Sequence, residues 1–572
     1  MKNALVAKIL YEIADLLDMQ GVQFKPQAYR KAARTIASLP SPIEEVYSEG
    51  KLDELPGVGV NIAKKIAEII ETGSLKYFEE LKKNTPIDFE SLLAVEGLGP
   101  NTVQLLYKKL GIKSLDDLEL AAKQHKIRTI KGLGPKIEEN ILDSIDLARR
   151  KKERVLLFLA LTTAETIRDQ FKKSLTANQN EDEVEVAGSV RRMRESIGDV
   201  DILASSNQPS GIADFFTSMS DVRKVLEKGE TKCSILLNDD VQVDLRLVKP
   251  ESFGSALMYF TGSKDHNIAM RNIAIKKGYK LNEYGLYKDA TQIAGRTETD
   301  VYKKLGMDYI PPELRENRGE IEAATTHTLP NLIPYDAIVG DLHVHTTWSD
   351  GTQPIEEMVQ AASKMGYAYV AITDHYSTMM VPRGLTERQL RNEMAEIDKI
   401  RRKFNKIKIL KGAELDISAD GSLKVEKKIL KELDVVVASV HSTFKQTKKE
   451  MTNRIVSAME SGYVNIIGHP TSRKIDTKRP SEIDMEKLFD ASKRTKTYLE
   501  INSTPQRLDL NDDNVKMAIQ AGCKLSIDTD AHNAQHFKNI RLGIGVARRG
   551  WTEQKDIINT QPLETLERDL RK

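Results

Sequence analysis

Apolar residues return every three to four positions through residues 5–17 (LVAKILYEIADLL), and this period persists to about residue 153 with almost no strand-like alternation. Such recurrence puts the apolar groups on one face of a helix. The spacing therefore predicts an all-α region over residues 1–153, with helices joined by short Gly-containing turns. From about residue 184 the pattern changes to short apolar runs (VEVAGSV, DVDILAS, CSILL, VQVDLRLV) between helical segments. Runs bounded by turn residues predict strands, and their mixture with helices predicts an α+β region. A polar, proline-containing stretch at about 311–337 reads as a linker, bounded most narrowly at 316–337. Beyond residue 338, seven runs alternate with helical segments: DLHVH, YVAITDH, IKILKGAEL, DVVVASVH, VNIIGHP, TYLEIN and CKLSIDTDAH. This layout predicts a distorted (β/α)7 barrel, a fold whose chemistry collects at the C-terminal ends of its strands.

Length and charge narrow the picture. A chain of 572 residues exceeds what one hydrophobic core organises, so several domains are expected. Lys plus Arg (86) nearly balance Asp plus Glu (84), so any basic surface must be local. Residues 1–90 carry 12 basic against 14 acidic residues, which excludes a generic polyanion binder there. The two cysteines, Cys233 and Cys523, fall in different predicted domains, which fits a reducing compartment and an expected cytoplasmic location. No apolar run reaches the roughly 18 residues of a membrane span.

Three Gly-x-Gly turns punctuate the helical half: LPGVGVNIAKKI with Gly57 and Gly59, VEGLGPNTVQLL with Gly97 and Gly99, and IKGLGPKIEENI with Gly132 and Gly134. Each leaves backbone N–H groups free at a helix N-terminus, where the helix dipole also favours an anion. A tight helix connection would use one such turn; three copies flanked by helices resemble helix-hairpin-helix motifs that grip nucleic-acid backbones.

The central region carries paired acids. In GSVRRMRESIGDVDILAS, Asp199 and Asp201 are two apart on an apparent strand and so project from one face, and Asp244 lies in a second strand, VQVDLRLV. Three converging carboxylates suit two Mg²⁺ ions that activate a 3′-hydroxyl and neutralise a transferring phosphoryl group. The upstream Gly188–Ser189 turn, with Arg191 and Arg192, is placed to cradle a triphosphate.

In the C-terminal part nearly every apolar run ends in a potential metal ligand: His343 and His345, Asp374 and His375, Glu414, His441, His469, Asn502, and Asp530 with His532. Six of the chain's ten histidines end these runs, and His343 and His345 at i, i+2 share a strand face suited to chelation.

The central motifs resemble DNA polymerase family X, the polymerase-beta-like repair polymerases, over about residues 1–310. GS…RR…GDVD matches that family's nucleotide and metal motif, VDLR its third-carboxylate strand, and YFTGSKDHNIAMR, followed by LNEYGLY, its thumb. The resemblance implies catalytic metal ligation by Asp199, Asp201 and Asp244 with Mg²⁺ or Mn²⁺. It implies substrate contacts from Gly188, Ser189, Arg192, Gly198 and Gly262, with Tyr259 and Phe260 lining the sugar pocket and excluding a ribose 2′-hydroxyl. Asn267 and Arg271 would meet the nascent base pair and the template on the minor-groove side. FKPQAYRKAARTI and the first Gly-x-Gly turn are similar to the family's small domain that binds a 5′-phosphate. There Lys65 falls at the position of a Schiff-base lysine, with Lys25, Tyr29, Arg30 and Lys31 in support. Two departures stand out: Asn61 replaces a second lysine, which leaves lyase chemistry weak at best, and Gln242 stands where relatives often carry an arginine.

The C-terminal constellation resembles the PHP (polymerase and histidinol phosphatase) domain over about 338–572. That resemblance implies three Zn²⁺ or Mn²⁺ ions: one on His343, His345, Glu414 and Asp530, a second on Glu414, His441 and His469, and a third on Asp350, His375 and His532. Taken together, the chain is expected to comprise a 5′-phosphate-binding domain (1–85), a second helix-hairpin-helix subdomain (86–153), a nucleotidyltransferase palm (154–252), a thumb (253–315) and a hydrolase barrel (338–572). Its expected work is gap filling in DNA repair, including base excision repair, plus metal-dependent cleavage at 3′ ends or abasic sites. Its expected partners are gapped or primed duplex DNA with a 5′-phosphate and deoxynucleoside triphosphates, with no membrane and the chain as a monomer. The alternative is a gap-filling polymerase whose barrel is a silent, metal-stabilised scaffold; histidine biosynthesis is disfavoured by the fusion to polymerase motifs.

Overall fold

A computed structural model describes the chain apart from residues 1, 20, 21, 23, 38, 40–42, 84–86, 94, 96, 97, 177–182, 208, 377–383 and 572. It divides into two compact units, residues 1–154 with 476–478, and residues 155–475 with 479–572.

The first unit is helical among the described residues and holds two separate apolar cores, one from Val6 to Leu81 and one from Leu92 to Ile145. Helix Val60–Thr72 shows how such elements are delimited. Gly59 caps its start in an extended conformation with no side-chain acceptor, and Gly73 ends it at φ 71, its N–H donating to the Ile69 carbonyl at 2.9 Å. Ile62, Ile66, Ile69 and Ile70 turn one face into the core.

The second unit contains a five-stranded sheet in the order 183–186, 200–205, 242–248, 232–237 and 222–228, in which only the pair 200–205 and 242–248 is parallel. Helix pair Phe253–Thr261 and Lys264–Lys276 and a three-stranded sheet at 280–294 follow. The C-terminal part is a nearly closed parallel barrel of strands 340–341, 369–372, 408–416, 435–439, 466–467, 498–502 and 525–528. A parallel bridge from Val344 to Ala531, with His345 N–H donating to the Ala531 carbonyl at 2.8 Å, draws the first and last strands together. Strands 369–372, 435–439, 498–502 and 525–528 are buried throughout, which is why they read as unbroken apolar runs.

The stretch 316–337, expected as a linker, is not a loose tether. It forms helix Glu320–Thr325 and buries Ile321, Ala324, Leu332 and Ile333. Its polarity misled because its charges and those just before it are paired internally: Glu320 meets His266 at 2.8 Å, and buried Arg315 meets Glu298 at 2.6 Å.

Candidate active sites

Strand Val200–Ser205 runs parallel to strand Gln242–Val248 with Asp201 in register against Asp244, so the two carboxylates leave the same face. Asp199 stands just before the first strand rather than on it. Burial, and then the charges of Asp199 and Asp244, pushes the Asp201 carboxyl up to about 7. Crowded carboxylates of which one resists ionisation form a donor set that a hard divalent cation would relieve. Gln242 donates to Asp244 Oδ1 at 3.0 Å, and Lys232 Nζ lies 3.7 Å from Oδ2, so a neutral amide and a lysine flank this carboxylate.

A cleft of about 330 Å³ opens beside these acids, lined by Gly188, Ser189, Arg192, Asp199, Asp201, Tyr259, Phe260, Gly262, Asn267 and Arg271, among others. Exposed Gly198 and buried Asp244 lie off its wall. Gly188 has φ +62, and a Cβ there would fall 2.1 Å from Asp201 Oδ2, so only glycine permits this close approach. Helix Phe253–Thr261 stops at Gly262, where φ is +69, and Ser263 caps the next helix, accepting from His266 N–H at 3.3 Å. This break aims residues of both helices at the cleft. Tyr259 and Phe260 pack edge to face at 5.2 Å, and Asn267 Nδ2 donates to the Tyr259 carbonyl at 2.7 Å. Arg191 turns away from the cleft: it forms a bidentate pair with Glu298 at 2.8 and 2.7 Å. The triphosphate cradle expected from two arginines thus narrows to Arg192. Glu298 is buried, which alone would raise its carboxyl, but Arg315 and Arg191 hold it down to about 2.

In the barrel Glu414 is the hub. His375 Nδ1 lies 2.8 Å from its Oε2, and His441 Nε2 and His469 Nε2 each lie 3.2 Å from its Oε1; His343 and His345 follow at 3.5 and 3.6 Å. Ligand atoms of His345, Asp350, His375 and His532 fall within 4.8 Å of one another, as do those of His343, His345 and Asp530, and those of His375, Glu414 and His441. All nine candidate positions therefore converge, although His345 and His375 each join two groups and His469 joins through Glu414 alone.

Buried His343 Nε2, His345 Nδ1 and Nε2, His441 Nδ1, His469 Nδ1 and Glu414 Oε1 have no hydrogen-bond partner of good geometry. Buried polar atoms are normally satisfied, so this concentration fits cation ligation. The electrostatics agree. Burial disfavours charge on His375, yet Glu414 and Asp350 lift it to about 10; burial likewise opposes charge on His532, which Asp350 and Asp530 lift to about 9. The carboxylates thus attract positive charge, as protons or as divalent ions. Burial and Arg507 bring His469 down to about 3, leaving a neutral imidazole suited to a metal. His469 and Asp530 hold left-handed backbone at φ +29 and +52, strain of the kind that gathers at functional sites.

In the first unit Lys65 Nζ lies 4.9 Å from the centre of the Tyr77 ring. Burial and Tyr77 push the nearby Tyr29 phenol up to about 12. Lys31 crosses the first Gly-x-Gly turn: a Cβ at Gly57, where φ is +83, would fall 2.6 Å from its Cγ. Exposed Lys25 opens the same helix as Lys31. Arg30 corrects the expectation of a phosphate contact, because Asp15 and Asp18 bind its two terminal nitrogens at 2.5 and 2.6 Å. Gly99 and Gly134 cap their helices with no side-chain acceptor, leaving backbone donors free of such caps; Gly132 has φ +94, and Gly97 lies outside the described residues.

Sequence reasoning missed Glu500, which stands behind the barrel ligands, and gave Asn502 and Asp374 as ligands where they act as supports. Glu500 Oε1 lies 2.6 Å from His343 Nδ1, and its other oxygen accepts the His469 N–H. Asn502 Nδ2 donates to Glu500 and Asp530, each at 3.1 Å. The available signal was the i, i+2 spacing of Glu500 and Asn502 in YLEIN, which puts both on one strand face. Asp374, at a strand end, instead accepts from Thr346 and Ser349 and braces the first loop.

Comparison with known proteins bears on both sites. Residues 1–75 match a helix-hairpin-helix domain family, 89–146 a SAM-like helix-hairpin-helix tandem, 256–316 the DNA polymerase beta thumb, and 341–504 the PHP domain. The chain is 36% identical over 575 residues to a DNA polymerase/3′-5′ exonuclease PolX of Bacillus subtilis, covering 99% of each. It is 25% identical over 346 residues to DNA polymerase lambda of Rattus norvegicus, covering 55% of this chain and 56% of the relative. A probable phosphatase of Thermoanaerobacter is 27% identical over 234 residues, covering 39% of this chain and 91% of the relative. No described helix is long and apolar enough to cross a membrane. Similarity spanning the entire chain makes it a member of DNA polymerase family X with a PHP domain, a group of divalent-metal enzymes that act on DNA and deoxynucleoside triphosphates.

Proposed function

We propose that the chain fills short gaps during DNA repair at the palm cleft and cleaves DNA phosphodiesters at the barrel, as a 3′-5′ exonuclease, an abasic-site endonuclease or both. The observation that carries this reading is the meeting of the paired acids, the Gly188–Ser189 turn, Arg192 and the Tyr259–Phe260 pair around one cleft. Mg²⁺ or Mn²⁺ on Asp199, Asp201 and Asp244 would acidify the 3′-hydroxyl and offset charge on the transferring phosphoryl group. Ser189, the Gly188 backbone and Arg192 bind the triphosphate, the guanidinium adding paired donors. Tyr259, Phe260 and Gly262 wall the sugar and exclude a 2′-hydroxyl. Asn267 and Arg271 meet the nascent pair, and Gly198 gives Asp199 its turn.

In the barrel, three Zn²⁺ or Mn²⁺ ions on His343, His345, Glu414 and Asp530, on Glu414, His441 and His469, and on Asp350, His375 and His532 would polarise water and a phosphodiester. Glu500 orients His343 by accepting its Nδ1–H. The similarity to the DNA polymerase/3′-5′ exonuclease of Bacillus subtilis supports nucleotide addition and 3′-5′ exonuclease cleavage.

The division of labour follows residues 1–85, 86–153, 154–252, 253–315 and 338–572, with 316–337 joining thumb to barrel. Lys25, Lys31 and the turn at Gly57 and Gly59 take the 5′-phosphate of a gap, Tyr29 supports them, and Arg30 serves structure. The turns at Gly97 and Gly99 and at Gly132 and Gly134 hold the DNA backbone, and Lys65 gives weak lyase chemistry. The enzyme works as a cytoplasmic monomer.

The test is the intact chain on a one-nucleotide gap and on a 3′ overhang, with Mg²⁺ and Mn²⁺ compared. Nucleotide addition on the first and shortening of the second are expected. No addition would overturn the palm reading. Metal bound without cleavage of any DNA would leave the barrel a scaffold.

A further inference from the structure

The palm turn that carries Arg192 is held from the barrel. It follows the short helix Gly188–Arg191, and three of its residues touch the C-terminal part. Arg549 Nη1 donates to the Arg192 carbonyl at 2.8 Å. Met193 packs on Gly545, where a Cβ would fall 2.5 Å from its Cε. Arg473 Nη2 donates to Glu195 Oε2 at 2.6 Å.

The Arg192 side chain is held through the same guanidinium. Arg192 Nε donates to Glu316 Oε1 at 3.0 Å, and Arg549 Nη1 donates to that same oxygen at 2.9 Å. Arg192 Nη1 also donates to the Thr261 carbonyl. Arg549 is only 2 % exposed and is anchored by Asp512 Oδ2 at 2.7 Å, an oxygen that also accepts from Arg318 at 3.0 Å. A buried arginine of one catalytic domain thus reaches both the backbone and the counter-ion of an arginine lining the other domain's cleft.

We propose that Arg549, a residue of the hydrolase barrel, is a positioning residue for nucleotide binding in the polymerase palm. Two effects act in the same direction. An arginine side chain free to rotate must be ordered by each incoming triphosphate, whereas one already braced binds without that loss. In addition, Glu316 divides its charge among Arg192, Arg549 and the more distant Arg194, whose Nη1 lies 3.9 Å from the same oxygen. Without Arg549 a larger share of that charge would fall on Arg192 and weaken its attraction for phosphate oxygens. Arg549 touches no residue of the barrel cluster among the contacts described, so its loss should spare cleavage. This inference rests on the reading that the cleft takes a deoxynucleoside triphosphate.

The experiment measures single-nucleotide gap filling by the full chain carrying Arg549→Met, Arg549→Lys or Asp512→Asn. For Arg549→Met the KM for the nucleotide should rise about tenfold with kcat within about twofold, a smaller loss than the roughly 100-fold that a 1 Å misplacement can cause. Affinity for DNA and exonuclease rate should stay at wild-type values. Arg549→Lys should recover part of the KM, since it restores the charge but not the two-pronged geometry. Combined with Arg192→Lys, Arg549→Met should add little, because both act through one side chain. An unchanged KM in a folded variant, or additivity in the double variant, would overturn the inference. Should Arg549→Met fail to fold, Asp512→Asn decides: it loosens Arg549 from the far side, and an unchanged KM there has the same meaning. A wild-type chain that adds no nucleotide would defeat the polymerase reading itself, a separate outcome.

Discussion

Asp201 and Asp244 stand in register on two parallel strands of the palm sheet. Neighbouring positions on one face of a parallel pair keep two carboxylates at nearly fixed separation, and such a pair holds together only with positive charge between or beside it. Asp201→Asn should therefore lower gap filling by at least about 100-fold, since even residues that only orient metal ligands cost 10–100-fold. DNA binding and exonuclease activity should persist. Near wild-type addition would remove Asp201 from the metal site.

Gly188→Ala tests the same site from its backbone. The new methyl would meet Asp201 Oδ2 at 2.1 Å in a left-handed conformation that alanine resists. Gap filling should fall about 100-fold or more, while the variant still retains DNA in a gel-shift measurement. Retained activity would show that the turn has slack the structure does not suggest.

Glu500→Gln addresses the barrel. Its carboxylate fixes His343 at 2.6 Å, and loss of such support typically weakens metal affinity 10–100-fold. Metal retained after dialysis and exonuclease rate should fall together, and gap filling should not change. Full metal content with full cleavage would make Glu500 a bystander.

Glu298→Gln gives a pH signature. The folded carboxyl lies at about 2, below its ordinary 4.5, so its contribution to stability is complete above about 4.5 and is lost as pH falls toward 2. At pH 7 the variant should be less stable by about 3 kcal/mol. Urea midpoints should show that difference shrinking by roughly 40 % at pH 3.5. A difference independent of pH would mean that packing, not charge, is what the substitution removes.

Lys31→Ala concerns the 5′ end. Wild-type chain should fill a gap bearing a 5′-phosphate faster than one lacking it, because a lysine stem crossing the Gly57 turn brings an ammonium beside free backbone donors. The variant should lose most of that preference. Equal rates for the wild type on both gaps would rule out the phosphate pocket.

The barrel was legible because its logic is one-dimensional. Each buried strand reads as an apolar run, and a histidine within three residues of its end, as at His375, His441 or His469, is a candidate ligand by position. Palm motifs were legible for a related reason: Gly188, Asp199 and Asp201 lie close together in the sequence. What stayed hidden depends on distant partners. Arg30 looked like a phosphate contact until Asp15 and Asp18 of the preceding helix were seen to bind it. The 316–337 stretch looked like a tether because its charges find their partners only in three dimensions. Arg191 and Arg192 are adjacent and chemically identical, yet one supports the thumb through Glu298 and the other faces the cleft.

The bond from Arg549 to the Arg192 carbonyl joins residues 357 positions apart. A ribosome adding about 5–20 residues per second takes roughly 20–70 s to cover that distance. During this interval the palm and thumb have been synthesised, but the arginine facing their cleft still lacks its brace. The polymerase half of the chain thus reaches its finished geometry only as the nuclease half nears completion. On the role proposed for Arg549, a nascent or truncated chain that carries the palm without the barrel would use nucleotide poorly.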